Sequence, residues 1–238
     1  MPKKKKKTGK NRLNLIILYF CGLILALSTA LPAYIQSNFL NQFVKLENIS
    51  LFFICANAFT ILFILIFPQL IKKLSNFFLS KVTLVIYTAS LLSLSVANSP
   101  LSALVSFIFM TIASNLIFIT LDVLVESFSK DSSTGKTRTI YFTFINLGWI
   151  IAPVFSGYLI GLGSYQLPFL VAAFLNVPVF LIFLFQTKRL KDKIAYSQEK
   201  LVTVIKKIWL NKNLRGIFFV AILLQLFYST AVVYIPIY

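Results

Sequence analysis

Long apolar stretches alternate with short basic clusters along this chain, and the lengths of the stretches carry the first structural information. Runs without a formal charge cover 13–44, 48–71, 82–121, 139–187 and 216–238. Each is at least as long as the ~20 residues a helix needs to cross bilayer hydrocarbon. The third and fifth are double length and carry turn signals near their middles, Asn98-Ser99-Pro100 in one and Gly161-Leu162-Gly163-Ser164 running to Pro168 in the other. Each therefore reads as a helical hairpin. The pattern predicts seven spans, near Leu13 to Ile35, Ile49 to Ile71, Val82 to Asn98, Leu101 to Asp122, Thr139 to Ile160, Leu167 to Thr187 and Gly216 to Tyr238.

Composition removes the alternative of a soluble core, because 58% hydrophobic and 16% aromatic residues with a mean hydropathy of +0.87 exceed what a water-soluble domain carries. The net charge of +17 would point to nucleic acid in a soluble protein, but here the cations sort by membrane side. The tail before the first span, the loops after the second and fourth and the segment after the sixth hold 22 of the 23 Lys and Arg, and only Lys45 lies opposite. The positive-inside tendency then makes the chain a multi-pass protein of the cell (inner) membrane with a cytoplasmic N-terminus. Its basic excess faces anionic lipid on the cytoplasmic side, and no nucleic acid. The first apolar run is too long for a signal-peptide core, and the small residues of "STALPA" form no clear cleavage site. Cys21 lies about 12 Å from the inner edge and Cys55 about 9 Å from the outer edge at ~1.5 Å per residue, beyond disulfide reach. With no His, two Cys and six acids, no metal, cofactor or nucleophile constellation is present, and no enzyme is expected.

Residues 188–213 separate six spans from the seventh. Leu190 and Ile194, then Leu201, Ile205, Ile208 and Trp209, recur among lysines at helical spacing, the pattern of a helix lying on the cytoplasmic surface. A calmodulin-type partner helix is the sharper alternative; a membrane-side linker is the commoner use of such a segment. Across it, "ALSTALPAYI" (26–35) matches "FYSTAVVYIPIY" (227–238), with Ser28-Thr29-Ala30 repeated as Ser229-Thr230-Ala231 at an offset of 201 residues. Transporter halves are often parallel repeats of this kind.

With that layout the sequence resembles the major facilitator superfamily, secondary transporters built from two six-helix bundles joined by a cytoplasmic linker. "GWIIAPVFSG" (148–157) resembles the family's fifth-span Gly-x-x-x-Gly-Pro-x-x-Gly-Gly motif, which marks proton-coupled antiporters there. Gly148, Pro153 and Gly157 match, while Ala152 and Ser156 replace glycines with other small residues. Gly148, Ala152 and Ser156 form a small-residue stripe for close helix packing, and Pro153 bends the helix. The family signature after the second span is eroded in "PQLIKKLSNF" (68–77): Pro68 and Ser75 stand at its glycines, Lys72 at its aspartate and Asn76 at an arginine, and only Lys73 keeps its character. The resemblance implies an all-α polytopic fold: a basic tail (1–12), a six-helix bundle (13–187), an amphipathic linker (188–215) and the first helix (216–238) of an incomplete second bundle. On that reading the natural protein has about 400 residues, these 238 do not transport alone, and the small-residue face of the fifth span and the cavity side of the first and fourth stay unpaired.

Two acids end the uncharged run 82–121. Asp122 and Glu126 sit one turn apart at the end of the predicted fourth span, where mutual repulsion and the helix dipole each cost a few tenths of a kcal/mol or more. Lys72, Lys73, Lys136 and Arg138 are the candidate partners on the same side. In the family an acid at this place pairs with a base of the loop after the second span, which makes the group a cytoplasmic gate that breaks and reforms as the bundle rocks. Solvated interface charges and a proton-coupling Asp122 are the other readings, the last because Thr111, Asn115 and Asp122 share a helical face. A substrate path is to be sought among uncharged polar groups: Ser28, Thr29, Thr111, Asn115, Thr143, Asn146, Gln225, Tyr228 and Ser229. Ser and Thr often satisfy only their own helix, so Asn115, Asn146 and Gln225 stand out. Without a buried cation, a neutral or amphiphilic small-molecule substrate fits better than an anion, with proton coupling left open.

The expected function is transport of a small solute by alternating access. A seven-helix receptor is the first rival, but the cytoplasmic N-terminus opposes it and the seventh span has no lysine for a Schiff base. A polytopic membrane enzyme is the second, but with no His and no clustered carboxylates beyond the single pair catalysis has little to stand on; a non-transporting membrane scaffold is a further alternative. Tags after Lys10 and within 190–213 are expected to be cytoplasmic, and tags near Glu47 or Ser164 external; protease protection that places 190–213 outside overturns the orientation.

Overall fold

The computed structural model describes residues 2–129, 133–185 and 201–230, and all regular structure among them is helical. Backbone N–H and C=O groups find no water in hydrocarbon, so an apolar spanning segment closes its hydrogen bonds within itself as a helix. The elements are α1 (Pro2–Ala33), the short α2 (Gln36–Leu40), α3 (Leu46–Leu74), α4 (Asn76–Ser95), α5 (Pro100–Phe128), α6 (Thr134–Gly161) and α7 (Leu167–Phe185). Then come α8 (Leu201–Leu210) and α9 (Lys212–Ser229), which meet at 102°. Among the described residues six helices are long and apolar enough to span, with Asn11–Ala33 the spanning part of α1, and the bent α8–α9 pair is the seventh candidate. Of the linker expected over 188–215, Leu190 and Ile194 lie outside the described residues, while Ile205, Ile208 and Trp209 fall on α8. Residues 231–238, including Ala231 of the repeat, are likewise outside.

Element ends explain where the boundaries differ from expectation. The turn at Asn98-Ser99-Pro100 is made as read: Ser99 Oγ accepts from Ser102 N at 3.2 Å and Ser102 Oγ accepts from Ser99 N at 3.3 Å, with Pro100 opening α5. This reciprocal cap satisfies two donors that a helix start otherwise leaves unpaired. The loop expected between Lys72 and Lys81 shrinks to Ser75. Ser75 Oγ accepts from Phe78 N at 3.4 Å, and the buried Asn76 donates to Thr120 O at 2.8 Å. The third span thus begins before Lys81, whose ammonium lies 4.8 Å from the Phe77 ring centroid. Ser75 adopts φ +66° and ψ 147°, a region glycine occupies without strain, and it stands where the family motif has glycine. α5 runs on to Phe128, so Asp122 belongs to the helix body rather than its end.

Half of the most apolar window is buried in α1, α4 and α5, against 22% in α3 and 17% in α6; the first three helices form the centre and the other two its edges. Leu18, Cys21 and Leu25 of α1, Leu84 and Leu91 of α4, and Ile117 and Leu121 of α5 are fully buried in one cluster. The small-residue ridge of α6 serves this core. Gly148, Ala152 and Ser156 are buried, and a Cβ on Gly148 falls 2.7 Å from Ala26 Cβ and 3.0 Å from the backbone nitrogen of Leu27. A Cβ on Gly22 similarly falls 2.6 Å from the Tyr141 ring. The expectation that the ridge of the fifth span stays unpaired is therefore overturned: α1 occupies it, because glycine and alanine let the two backbones approach. Pro153 lies inside α6, which continues past it, and Gly157 is exposed with nothing within 4 Å of an added Cβ.

Gly148→Ala forces α1 and α6 apart against backbone atoms and is expected to cost about 1–3 kcal/mol. Gly157→Ala is expected to leave stability unchanged or slightly raised. Thermal unfolding in detergent checks both, and equal melting temperatures for the two variants would contradict the close α1–α6 contact.

Candidate functional site

In the half of the bundle remote from the basic clusters, a cavity of about 200 Å³ opens between the first five spans and α9. Its wall comprises Thr29, Ala33 and Gln36 near the end of the first span, Phe53 and Asn57 of α3, Tyr87 of α4, and Phe107, Met110, Thr111 and Ser114 of α5. Trp149 of α6 and Gln225, Tyr228 and Ser229 of α9 complete it. No charged side chain is among these residues. The Trp149 indole meets Tyr228 edge-on at 5.6 Å and Tyr34 edge-on at 6.2 Å, so an aromatic contact joins α9 to the bundle.

The polar wall groups have a definite donor and acceptor balance. Thr29 gives its proton to Leu25 O at 2.8 Å, Thr111 to Phe107 O at 2.8 Å, and Asn57 one amide proton to Phe53 O at 2.8 Å. Each is the carbonyl one turn back. A hydroxyl whose proton is committed offers only lone pairs to a ligand. Tyr87, buried but on the wall, donates to Thr29 Oγ1 at 3.1 Å. Ser28 has a single proton and two acceptors near, Ala172 O at 2.9 Å and Tyr87 Oη at 3.5 Å; the shorter and better bond holds it. Toward a ligand the Thr29 and Thr111 hydroxyls are therefore acceptors, while the Gln36 and Gln225 amides and the Trp149 indole N–H bring donors, all among aromatic faces.

Of the expected path residues, Thr29, Thr111, Gln225, Tyr228 and Ser229 are brought together on this wall. Ser28 is fully buried against α7, one position away. Asn115 is exposed and donates to its own Thr111 O at 2.8 Å. Thr143 and Asn146 are exposed and outside the wall, because each lies two positions from a buried residue of the α6 ridge, about 200° around the helix. Tyr87, Trp149, Asn57 and Gln36 were not singled out. A tyrosine at mid-span, away from the interfacial belts where tyrosine concentrates, was the available signal for Tyr87.

The opposite, basic end is closed by polar links between neighbouring helices. Arg138 of α6 grips Asp122 of α5 with two parallel bonds, Nε to Oδ1 at 3.0 Å and Nη2 to Oδ2 at 2.5 Å. This fork is available to arginine alone. Tyr19 of α1 donates to Thr137 O at 3.3 Å, and Asn76 ties α4 to α5. Glu126, Lys72 and Lys73 are exposed, and the Asp122–Arg138 ion pair involves none of them. Among the candidate bases the acid's partner is thus on the following span, not in the loop after the second, and both partners lie within the first six spans.

Apolar helices packed side by side around an uncharged cavity describe a polytopic membrane protein. The profile described as Major Facilitator Superfamily matches residues 15–238, and the chain belongs to that family of membrane transporters. Among solved structures it is similar to that of a mutant of peptide transporter POT in complex with sulfate, with a TM-score of 0.66 at 16% identity over 89% of this chain. The chain spans 45% of that protein's length. No curated protein matches.

The Asp122–Arg138 pair is only partly shielded, at 25% and 41% side-chain exposure, which places it near the ~0.2–1 kcal/mol of surface pairs. Asp122→Asn and Arg138→Lys are each expected to lower the melting temperature by a few degrees at low salt, with partial recovery when the two charges are exchanged. Gln at Lys72 and Lys73 is expected to leave it unchanged; a loss there as large as in Asp122→Asn refutes the assignment of partners.

Proposed function

We propose that these residues form one bundle and the starting helix of the next in an alternating-access carrier of a small, neutral or amphiphilic solute. The observation that carries this reading is the uncharged aromatic cavity, lined by both donors and acceptors, shared between the first five spans and α9. At about 200 Å³ it is smaller than the ~300–1,000 Å³ of drug-sized pockets, which suits a small solute. Its hydroxyl acceptors suit O–H or N–H groups of a solute, its amide and indole N–H groups suit carbonyl or ether oxygens, and Trp149, Tyr228, Phe53 and Phe107 favour an apolar face. With the N-terminus in the cytoplasm of a cell whose inner leaflet is anionic, the cavity lies toward the outside and the closed end toward the cytoplasm.

Asp122 is held by Arg138 rather than exposed to the cavity, which supports a structural clamp over a proton-coupling role. Because both partners belong to the same six spans, the clamp stays made as that bundle tilts, and a cytoplasmic gate draws on other contacts. The peptide transporter is similar in fold only, so no peptide substrate is carried over from it.

Liposomes holding the full protein and offered labelled sugars, amino acids, peptides and lipophilic cations test the reading. Saturable uptake of a neutral or amphiphilic solute is expected, with Trp149→Ala and Gln225→Ala each raising KM about tenfold, the loss of ~1.4 kcal/mol of binding. Uptake whose KM neither variant changes rejects this cavity as the solute site.

A further inference from the structure

Beside the cavity helix lies a second surface whose chemistry points away from the solute. α8 meets α9 at 102°, so when α9 stands across the bilayer α8 lies nearly in the plane of its surface. Asn211 fixes the corner, its Oδ1 accepting from Asn213 N at 3.0 Å and Leu214 N at 3.3 Å. At ~100° per residue, Val204, Ile205, Ile208 and Trp209 fall within an arc of about 140° on α8, and Thr203, Lys206 and Lys207 fall on the other side together with the exposed Leu210 of its last turn. The apolar arc is not covered by the bundle: Ile205 is 55% exposed and Trp209 70%. Residues 201–215 hold Lys206, Lys207, Lys212 and Arg215 and no acid. An apolar arc bordered by lysines, with tryptophan at its edge, complements a lipid surface whose headgroups are negative.

We propose that α8 is a docking element for anionic lipid headgroups. Its apolar arc enters the boundary between headgroups and acyl chains of the leaflet at the basic end, and Lys206 and Lys207 reach up to phosphates. Docking sets the depth of α9 and hence where Tyr228 stands relative to Trp149, 5.6 Å away. The inference rests on α9 spanning the bilayer and not on the transport reading.

Trp149 and Trp209 are the two tryptophans, so Trp149→Phe leaves Trp209 as sole reporter. The full protein is placed in nanodiscs of phosphatidylcholine, or of phosphatidylcholine with about one-third phosphatidylglycerol, with lipids brominated near the top of the acyl chain. Strong quenching and a blue-shifted Trp209 emission are expected with phosphatidylglycerol. At about fivefold per lysine, the docking equilibrium is expected to fall on the order of 20-fold in the K206Q/K207Q double variant and to weaken with salt. Quenching that is equal in both lipids and unmoved by the double variant overturns headgroup recognition. Quenching by aqueous iodide but not by brominated lipid means that α8 faces water or a protein, and overturns the docking. A nitroxide on Ile205→Cys, in a Cys21→Ala, Cys55→Ala background, repeats the reading with Trp149 intact: protection from a water-soluble relaxation agent only with phosphatidylglycerol supports the proposal, and access in both lipids rejects it.

Discussion

A hydroxyl or amide inside the bilayer core has only protein to bond to, and in this chain it mostly turns back on its own helix. Thr29 bonds Leu25 O, Thr60 bonds Ala56 O, Thr111 bonds Phe107 O and Thr143 bonds Thr139 O. Polar groups spent in this way do little to hold helices to one another. Adhesion between spans then rests on fit, since apolar side chains gain nothing by leaving lipid for each other. That is why the smallest side chains sit at the tightest contact, where Gly148 lies on Ala26 and Leu27 and Gly22 lies under Tyr141. A methyl group on Gly148 meets backbone atoms of Ala26 and Leu27, which do not yield, and one on Gly22 meets the Tyr141 ring.

The polar bonds that do cross between helices divide the bundle along its length. At the basic end they join neighbours: Asp122 to Arg138, Tyr19 to Thr137, Asn76 to Thr120. In the other half Ser93 and Ser106 join α4 to α5 at 2.7 Å, and two bonds run inward, from Tyr87 to Thr29 and from Ser28 to Ala172, supporting the cavity wall from behind. The Thr29 and Thr111 hydroxyls, whose protons are committed, keep a fixed polarity as acceptors before a solute arrives.

The fold was largely legible in the sequence because spans are long-range averages: a run of some twenty uncharged residues announces itself whatever its details. The helical hairpin at Asn98-Ser99-Pro100 was legible because its cap is local. The site was half legible. Thr29, Thr111, Gln225, Tyr228 and Ser229 reached the wall, but Thr143 and Asn146 did not, since which side of a helix faces inward depends on a packing ridge that an almost wholly apolar segment leaves unmarked. Tyr87 and Trp149 were hidden among 37 aromatic residues of which most meet lipid or core. The partner of Asp122 was undecided for a different reason: four candidate bases, Lys72, Lys73, Lys136 and Arg138, flanked it on its side of the membrane, and only the run of α5 past residue 122 brought Arg138 opposite.

Ser75 has a mechanical consequence. It alone separates α3 from α4, in a backbone conformation that costs a non-glycine residue about 1–3 kcal/mol. A joint one residue long has no slack, so α3 cannot slide along the membrane normal without dragging α4, and the two move as a single jointed lever. Longer connections join other neighbours, as between α5 and α6, where Ser129 and Thr134 hydroxyls bond across the gap at 2.8 Å. Relative motion within the bundle is thereby directed away from the second and third spans and toward connections that have chain to spare.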